Sequence, residues 1–486
     1  MHFSTVPDAR AAAAPDAPAV RDDASALTNA DLLARIGRAA DALARRGIGP
    51  GDVVAVMLPN RVELIVVLFA VWRLGAVLTP INPVLGPAEA AYQVTDAAAR
   101  LVVVETDRDD LGAPPLALDA LDALSSSSPG PAAAPAADDV ALLIYTSGTT
   151  GTPKGVMLTH RNLDAMTASF IEWFELGPND HSLLVLPLFH ANGIVLGTLT
   201  PLRAGGQVTV TGRFARDRFF ADVERFRPTF FSAVPAIYAM LCALPADVRP
   251  DTSSLRFAVC GAAPMPAEAI VRFEDRFGIP IVEGYGLSET TTAVTINPLR
   301  GVRKPGTVGL ALPGQRVEIV DQSGRSVPVG KTGEVVVTGS VVMAGYLGRP
   351  EETARTIVDG WLRTGDIGRF DDDGYLLIVD RIKDMIIRGG ENIYPKEIEN
   401  ALYAHPGVHE AAVVGRPDDV LGEVPVAFVA LAAGAGATAS DLQQHVASRL
   451  AAYKRPALIL FVDDLPKNPV GKIDKPALRK RLKEPA

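Results

Sequence analysis

An apolar run, Val140-Ala141-Leu142-Leu143-Ile144, leads into a segment in which every residue from Thr146 to Thr152 is glycine or carries a hydroxyl. The run reads as a buried strand, and the segment after it reads as a loop able to wrap a polyphosphate. Glycines let the backbone approach an anion and turn its N–H groups inward. Hydroxyls add neutral donors, and Lys154 supplies one mobile positive charge. The spacing differs from that of the nucleoside triphosphatase loop: Pro153 stands where that pattern needs its second glycine, and Gly155 where it needs Ser or Thr.

On both sides of this segment, apolar runs of strand length alternate with helical periodicity. Thr28 and Asp31 form a capping box for a helix over 30–46, whose Leu32, Leu33, Ile36, Ala39, Ala40 and Leu43 share one face, and Gly47 ends it. Next come a buried strand over 53–58, a helix over 62–74 and strands over 76–78 and 101–104; residues 125–139, of low complexity, lead into the phosphate-binding strand. Beyond it lie strands over 183–186, 208–210, 230–234, 256–260 and 279–282, with a helix after His190. Such alternation implies a largely parallel, covered sheet. After Thr307-Val308-Gly309, short strands recur between Gly, Asp and Ser turns and imply a small β-barrel-like unit over about 307–380. The remainder is mixed α/β: a helix over 395–404, strands over 408–414 and 424–432, and a helix over 439–452.

With 486 residues the chain is long enough for about three compact units, and 48% hydrophobic against 21% charged residues allows sizeable cores. A net charge of -9 and an isoelectric point near 5.4 argue against a nucleic-acid partner. A local exception is the tail, Lys472 through Lys475, Arg479, Lys480, Arg481 and Lys483, for most of which a solvated helix face is expected, the alternative being a patch that attracts an anionic cofactor. Cys242 and Cys260, without a Cys-x-x-Cys pair or clustered histidines, imply neither a disulfide framework nor a zinc site, which fits a reducing cytoplasm. Residues 1–20 lack the continuous apolar segment of a signal peptide, and the longest strictly apolar run, Leu64 to Trp72, is far below the ~20 residues that span a bilayer. The expectation is a cytoplasmic protein with no transmembrane segment.

The stretch from Tyr145 to Gly155 resembles the signature loop of the adenylate-forming superfamily, which contains acyl-CoA synthetases, aryl-CoA ligases, peptide-synthetase adenylation domains and firefly luciferase. Further segments match in the family's order, so the resemblance runs from roughly Thr28 to Lys480. It implies an α/β fold: a large N-terminal adenylation domain of doubly wound sheets plus a small β-barrel over 1–381, and a small, mobile α/β lid over 382–486. It also implies that Thr146, Ser147, Gly148, Thr149, Thr150, Gly151 and Lys154 hold the phosphates of ATP. Leu186-Pro187-Leu188-Phe189-His190 closes a strand, and His190 is expected to gate the acyl pocket. His190 is not expected to be a general base, because a carboxylate nucleophile is already ionised at neutral pH. Val234, Ala236 and Ile237 are expected to line the pocket with His190, beside Ala262 and Ala263.

By the same resemblance Gly261-Ala262-Ala263-Pro264 and Glu283-Gly284-Tyr285-Gly286 hold the nucleotide, Glu289 binds Mg2+ and Thr290 approaches phosphate. The chemistry agrees, since a hard cation needs oxygen ligands and neutralises developing pyrophosphate charge. Asp366, closing Trp361-Leu362-Arg363-Thr364-Gly365-Asp366, is expected to accept from the ribose hydroxyls, Arg381 to contact the nucleotide and Lys383 to be the hinge. Arg388-Gly389-Gly390-Glu391-Asn392-Ile393-Tyr394-Pro395 resembles the acyl-CoA synthetase form, with Gly389, Gly390 and Glu391 lining a channel for coenzyme A. Lys472, within Pro466 to Ile473, is the expected catalytic lysine, bridging the substrate carboxylate and the α-phosphate.

The implied reaction joins a small-molecule carboxylate to coenzyme A in two steps, through an acyl-adenylate formed from Mg-ATP. An acyl-carrier protein is the alternative acceptor. A non-catalytic nucleotide-binding protein is the alternative of another class, and the set Lys154, Glu289, Asp366, Arg381 and Lys472 speaks against it. Malonyl-CoA synthetases of the family carry an arginine just before the tyrosine of the Gly-Tyr-Gly region. Gly284 stands there instead, which disfavours a dicarboxylate and leaves a fatty or aryl monocarboxylic acid.

Overall fold

The computed structural model describes residues 3–106, 110–122, 132–146, 152–263, 265–389, 391–432, 434–467 and 473–482. By internal contacts the chain forms two compact units, Met1–Val317 with Val337–Leu362, and Glu318–Val336 with Arg363–Ala486.

The first unit holds two large sheets. The nine-stranded one runs in the order Leu310–Ala311, Thr295–Ile296, Ile281–Tyr285, Phe257–Cys260, Phe230–Ala233, His181–Leu184, Gln207–Val210, Pro18–Arg21, Ala26–Thr28. Its middle strands pair in parallel and its edges antiparallel. The seven-stranded one runs Gly345–Tyr346, Lys154–Thr159, Val140–Thr146, Val77–Pro80, Val53–Met57, Leu101–Val104, Pro115–Ala117. Parallel strands covered on both faces carry continuous apolar runs, and Leu101–Val104 is buried at every position.

The helix Asn29–Ala44 starts where the sequence places it: Thr28 and Asp31 form a reciprocal capping box. Helix Val62–Arg73 contains the long apolar run, and all of it except Glu63 is buried. Its Trp72 donates from Nε1 to the Ala141 carbonyl at 2.7 Å and meets the Phe69 ring edge-on at 5.8 Å. The apolar run therefore anchors the strand that carries the glycine-and-hydroxyl loop. Among the described residues no helix is long and apolar enough to cross a membrane.

One strand sits two residues earlier than the sequence implies: it covers His181–Leu184 instead of 183–186. The Asn60 side chain explains the difference, because it donates to the Leu186 carbonyl at 2.9 Å and accepts from the Leu188 N–H at 2.8 Å. Those groups are thereby satisfied without a strand neighbour.

In the second unit, Glu391–Ile393, Ile386–Arg388, Gly422–Leu431 and Val408–Asp418 pair in that order, with Leu458–Phe461 also on Gly422–Leu431. Helices Pro395–Tyr403 and Ala439–Ala447 bury Ile398, Leu402, Leu442 and Val446 against this sheet's Val413 and Val429. The second helix stops at Ala447, short of 452; Ser448 caps it and turns its hydroxyl back onto the His445 carbonyl at 2.8 Å. In the basic tail two side chains leave the solvated face, and Lys472 and Lys483 lie outside the described residues. On helix Lys475–Arg481, Lys475 pairs with Glu399 at 2.8 Å and Arg479 with Asp384 at 2.7 Å, leaving Lys480 and Arg481 on the solvent side. Acidic partners remote in sequence compensate these two charges where they leave solvent.

Candidate active site

Four of the expected segments leave the same edge of the nine-stranded sheet. Phe231 lies opposite Leu183, Ala233 opposite Cys260, and Cys260 opposite Glu283, so the parallel strands end in step. Ligands of such sheets collect at the carboxyl ends of strands. His190 caps helix Ala191–Ile194, which runs on into a π-helical turn over Val195–Leu199, a feature common at functional sites. The His190 and Phe189 rings lie 4.5 Å apart. Val234 is half-buried at the start of helix Pro235–Cys242, Ala236 is exposed, and Ile237 packs in a cluster with Phe231 and Tyr238.

Gly261 and Ala263 are half-buried and Ala262 is exposed; Pro264 lies outside the described residues. Ala262 adopts φ 68, a left-handed conformation that costs an alanine energy and marks the turn as strained. Glu283 is buried, and its Oε1 accepts from the Met265 N–H at 3.1 Å. Gly284 and Tyr285 pair with Ile296 and Thr295. A Cβ on Gly286 would stand 2.3 Å from the Thr292 carbonyl oxygen and 2.5 Å from the Ala293 Cα. Gly286→Ala is accordingly expected to cost about 1–3 kcal/mol of stability and to displace the turn between Tyr285 and Glu289, read as a lower denaturation midpoint together with weaker ATP binding.

The seven-stranded sheet supplies Lys154. Thr146 pairs with Lys154 and Tyr145 with Gly155 across strands Val140–Thr146 and Lys154–Thr159. Ser147, Gly148, Thr149, Thr150 and Gly151, between them, lie outside the described residues. Tyr346 pairs with Val156, which brings its ring to 5.3 Å from the Lys154 Nζ. The Tyr346 hydroxyl donates to Glu289 Oε1 at 2.8 Å. Burial and the Glu289 charge push the Tyr346 phenol well above its ordinary pKa, so it stays a donor. Lys154 forms an ion pair with Glu352, and that contact holds the Glu352 carboxyl below the usual carboxylate range. Thr290 is buried, and its hydroxyl bonds with both the N–H and the carbonyl of Leu287 at 3.0 Å, which closes the turn around Glu289.

The other expected residues fall in the second unit. Asp366 pairs with Arg381 across antiparallel strands, and Arg381 Nε donates to Asp366 Oδ1 at 2.7 Å. The neighbouring Asp380 accepts from the Arg381 and Lys396 N–H groups at 2.7 and 2.8 Å, while its burial raises its pKa. Lys383 is depressed by burial and by the nearby Arg381 charge. Gly389 has φ 58, a value that favours glycine, and its N–H donates to the Leu421 carbonyl at 2.8 Å; Glu391 is exposed opposite Arg388. Gly390 and Lys472 lie outside the described residues.

Among the described residues no three His, Cys, Asp or Glu side chains gather as a preformed cation cage. Mg2+ fits such a site, because it keeps its waters and takes one or two carboxylates plus substrate phosphates. The Glu289 carboxylate, tied through Tyr346 to Lys154, is a donor of that kind.

A family model described as AMP-binding enzyme matches residues 7–347, and one described as AMP-binding enzyme C-terminal domain matches 397–472. The chain belongs to the AMP-binding enzyme family. Within it, the chain is 40% identical over 482 residues to a feruloyl-CoA synthase from Amycolatopsis sp, covering 98% of each chain. It is 34% identical over 522 residues to a long-chain-fatty-acid–CoA ligase from Bacillus subtilis (strain 168), covering 98% of this chain and 92% of that one. Among solved structures, ATP-bound MatB from Rhodopseudomonas palustris superposes with a TM-score of 0.94 at 34% identity, covering 100% of this chain and 99% of that one. This AMP-binding enzyme sits in the acyl-CoA synthetase branch of the adenylate-forming superfamily.

Sequence reasoning passed over three groups that the enzyme's fold brings to these residues. Asn60 holds the segment before His190, while Tyr346 and Glu352 meet Lys154 and Glu289. The motif Gly345-Tyr346 with Glu352 downstream carries no chemical signal by itself.

Proposed function

We propose that this chain is an AMP-forming acyl-CoA synthetase for a fatty or aryl monocarboxylic acid. The carboxylate oxygen attacks the α-phosphorus of ATP and expels pyrophosphate; the thiol of coenzyme A then attacks the carbonyl carbon of the acyl-adenylate and expels AMP. The observation that carries this reading is the cluster in which Tyr346 joins Lys154 to Glu289 where the two sheets of the first unit meet. A lysine and a single carboxylate held together by a neutral ring are the groups a triphosphate and its cation require.

In this reading Lys154 and the loop over 146–151 bind the outer phosphates, the Gly261 to Ala263 and Glu283 to Gly286 segments hold the nucleoside, and Thr290 shapes the turn that presents Glu289. Glu289 would hold Mg2+, which when bound would neutralise charge on the departing pyrophosphate. Asp366 takes the ribose and Arg381 the nucleotide. Residues 382–486 form a lid that turns about Lys383 from the main domain, 1–381, so that Lys472 serves the first step and Gly389, Gly390 and Glu391 the second. His190, Val234, Ala236 and Ile237 bound the acid. The feruloyl-CoA synthase and fatty-acid ligase among the relatives agree with an apolar acyl group, although a sulfoacetate ligase and an oxalate ligase are relatives as well, and Gly284 supplies no charge for a second carboxylate.

The test is pyrophosphate release across a panel of fatty, hydroxycinnamic and dicarboxylic acids, with coenzyme A or a phosphopantetheinylated acyl-carrier protein as acceptor. The reading expects release that depends on a monocarboxylic acid and thioester formation with free coenzyme A. Turnover of dicarboxylates alone, or acylation of the carrier alone, contradicts it.

A further inference from the structure

We propose that Glu352 is an internal stand-in for a nucleotide phosphate: its carboxylate neutralises Lys154 until the outer phosphates of the substrate displace it. The proposal rests on the assignment of Lys154 to those phosphates and adds a competitor for the same ammonium group. Lys154 is enclosed, with 14% of its side chain exposed, and its partner Glu352 is 27% exposed. An ammonium group so enclosed is costly without a counter-ion, and Glu352 meets that need.

The surroundings restrict how Lys154 can leave. Tyr346 lies under the ammonium at 5.3 Å and is fixed at its other end by the hydrogen bond to Glu289. Its backbone N–H donates to the Thr353 hydroxyl at 2.9 Å, which ties Tyr346 to the helix Pro350–Thr356 that carries Glu352. The flexible lysine stem can therefore swing across the ring face and keep a cation–π contact while it changes partners. Glu352 cannot stay at contact distance once a phosphate takes the same ammonium, because the two anions repel each other at short range. Exchange, not addition, is the result.

A competitor on Lys154 weakens ligands that reach that lysine with their outer phosphates, ATP and pyrophosphate, and leaves AMP alone. It also gives pyrophosphate an anion ready to replace it as it departs. Glu352 is thus a positioning residue that acts through Lys154.

Titration calorimetry of ATP, pyrophosphate and AMP at fixed ionic strength tests this on the full chain, with Lys154→Ala, Glu352→Gln, Glu352→Asp and the double variant. Glu352→Gln is expected to tighten ATP and pyrophosphate by about fivefold, the scale of one partly screened ion pair, with AMP unchanged. Glu352→Asp should remain near the parent, and the double variant should match Lys154→Ala. If Glu352→Gln weakens ATP as Lys154→Ala does, Glu352 aids the phosphates and the stand-in role is overturned. Equal changes for ATP and AMP, the mark of a merely structural role, overturn it as well. If Lys154→Ala itself leaves ATP affinity unaltered, the assignment of Lys154 fails and takes this proposal with it.

Discussion

Lys472→Ala is expected to slow acyl-adenylate formation by about 10²–10³-fold, while thioester formation from supplied acyl-adenylate stays close to the parent rate. The effect is large because a lysine bridging the carboxylate and the α-phosphate acts where charge develops, and no other group is assigned that position. It is confined to one half-reaction because the lid presents Lys472 in only one of its two proposed orientations. The root of the segment is well anchored: Lys467 pairs with Ile473, Lys467 Nζ meets Glu410 at 2.8 Å, and Asp474 donates from its N–H to the Pro466 carbonyl at 2.7 Å. Asp474 also caps the helix whose Lys475 is paired with Glu399. An alanine at 472 therefore removes a charge without loosening its base. Stopped-flow measurement of the two halves checks this, and equal losses in both would contradict it.

Gly390→Leu is expected to do the reverse, slowing the thiol step about a hundredfold while adenylate formation changes little. Its neighbours are tightly set. Arg388 faces Glu391 in the antiparallel pairing, Gly389 has φ 58, and the Gly389 N–H is held by Leu421. In the proposed acceptor channel a branched side chain at this position would obstruct the narrow pantetheine arm. Single-turnover transfer from preformed acyl-adenylate reads the effect directly. A variant that loses adenylation first would remove Gly390 from the acceptor channel.

The elements that carry the candidate site were legible where neighbouring residues set them, while the roles of its residues came from the family resemblance. The Thr28 and Asp31 cap, the strand before the glycine-and-hydroxyl loop and the turns after Cys260 and Glu283 are set by neighbours within a few residues. Parallel strands ending in step then bring those turns together without further instruction. Tyr346 and Glu352 were not legible, because their roles arise from pairing Tyr346 with Val156, a contact between distant parts of the chain. Asn60 escaped for the same reason: its partners Leu186 and Leu188 are far along the chain. In the basic tail the pairing of Lys475 and Arg479 was not legible, because charge alone implies solvation and their partners Glu399 and Asp384 are remote in sequence.

In the proposed reaction the acid's own oxygen bonds to the α-phosphorus of ATP. Turnover of a carboxylate labelled with 18O, with mass analysis of the nucleotide product, reads that bond. AMP is expected to carry one labelled oxygen, with unlabelled pyrophosphate and one oxygen of label kept in the thioester. Label in inorganic phosphate with ADP as the nucleotide product, or unlabelled AMP, would contradict it.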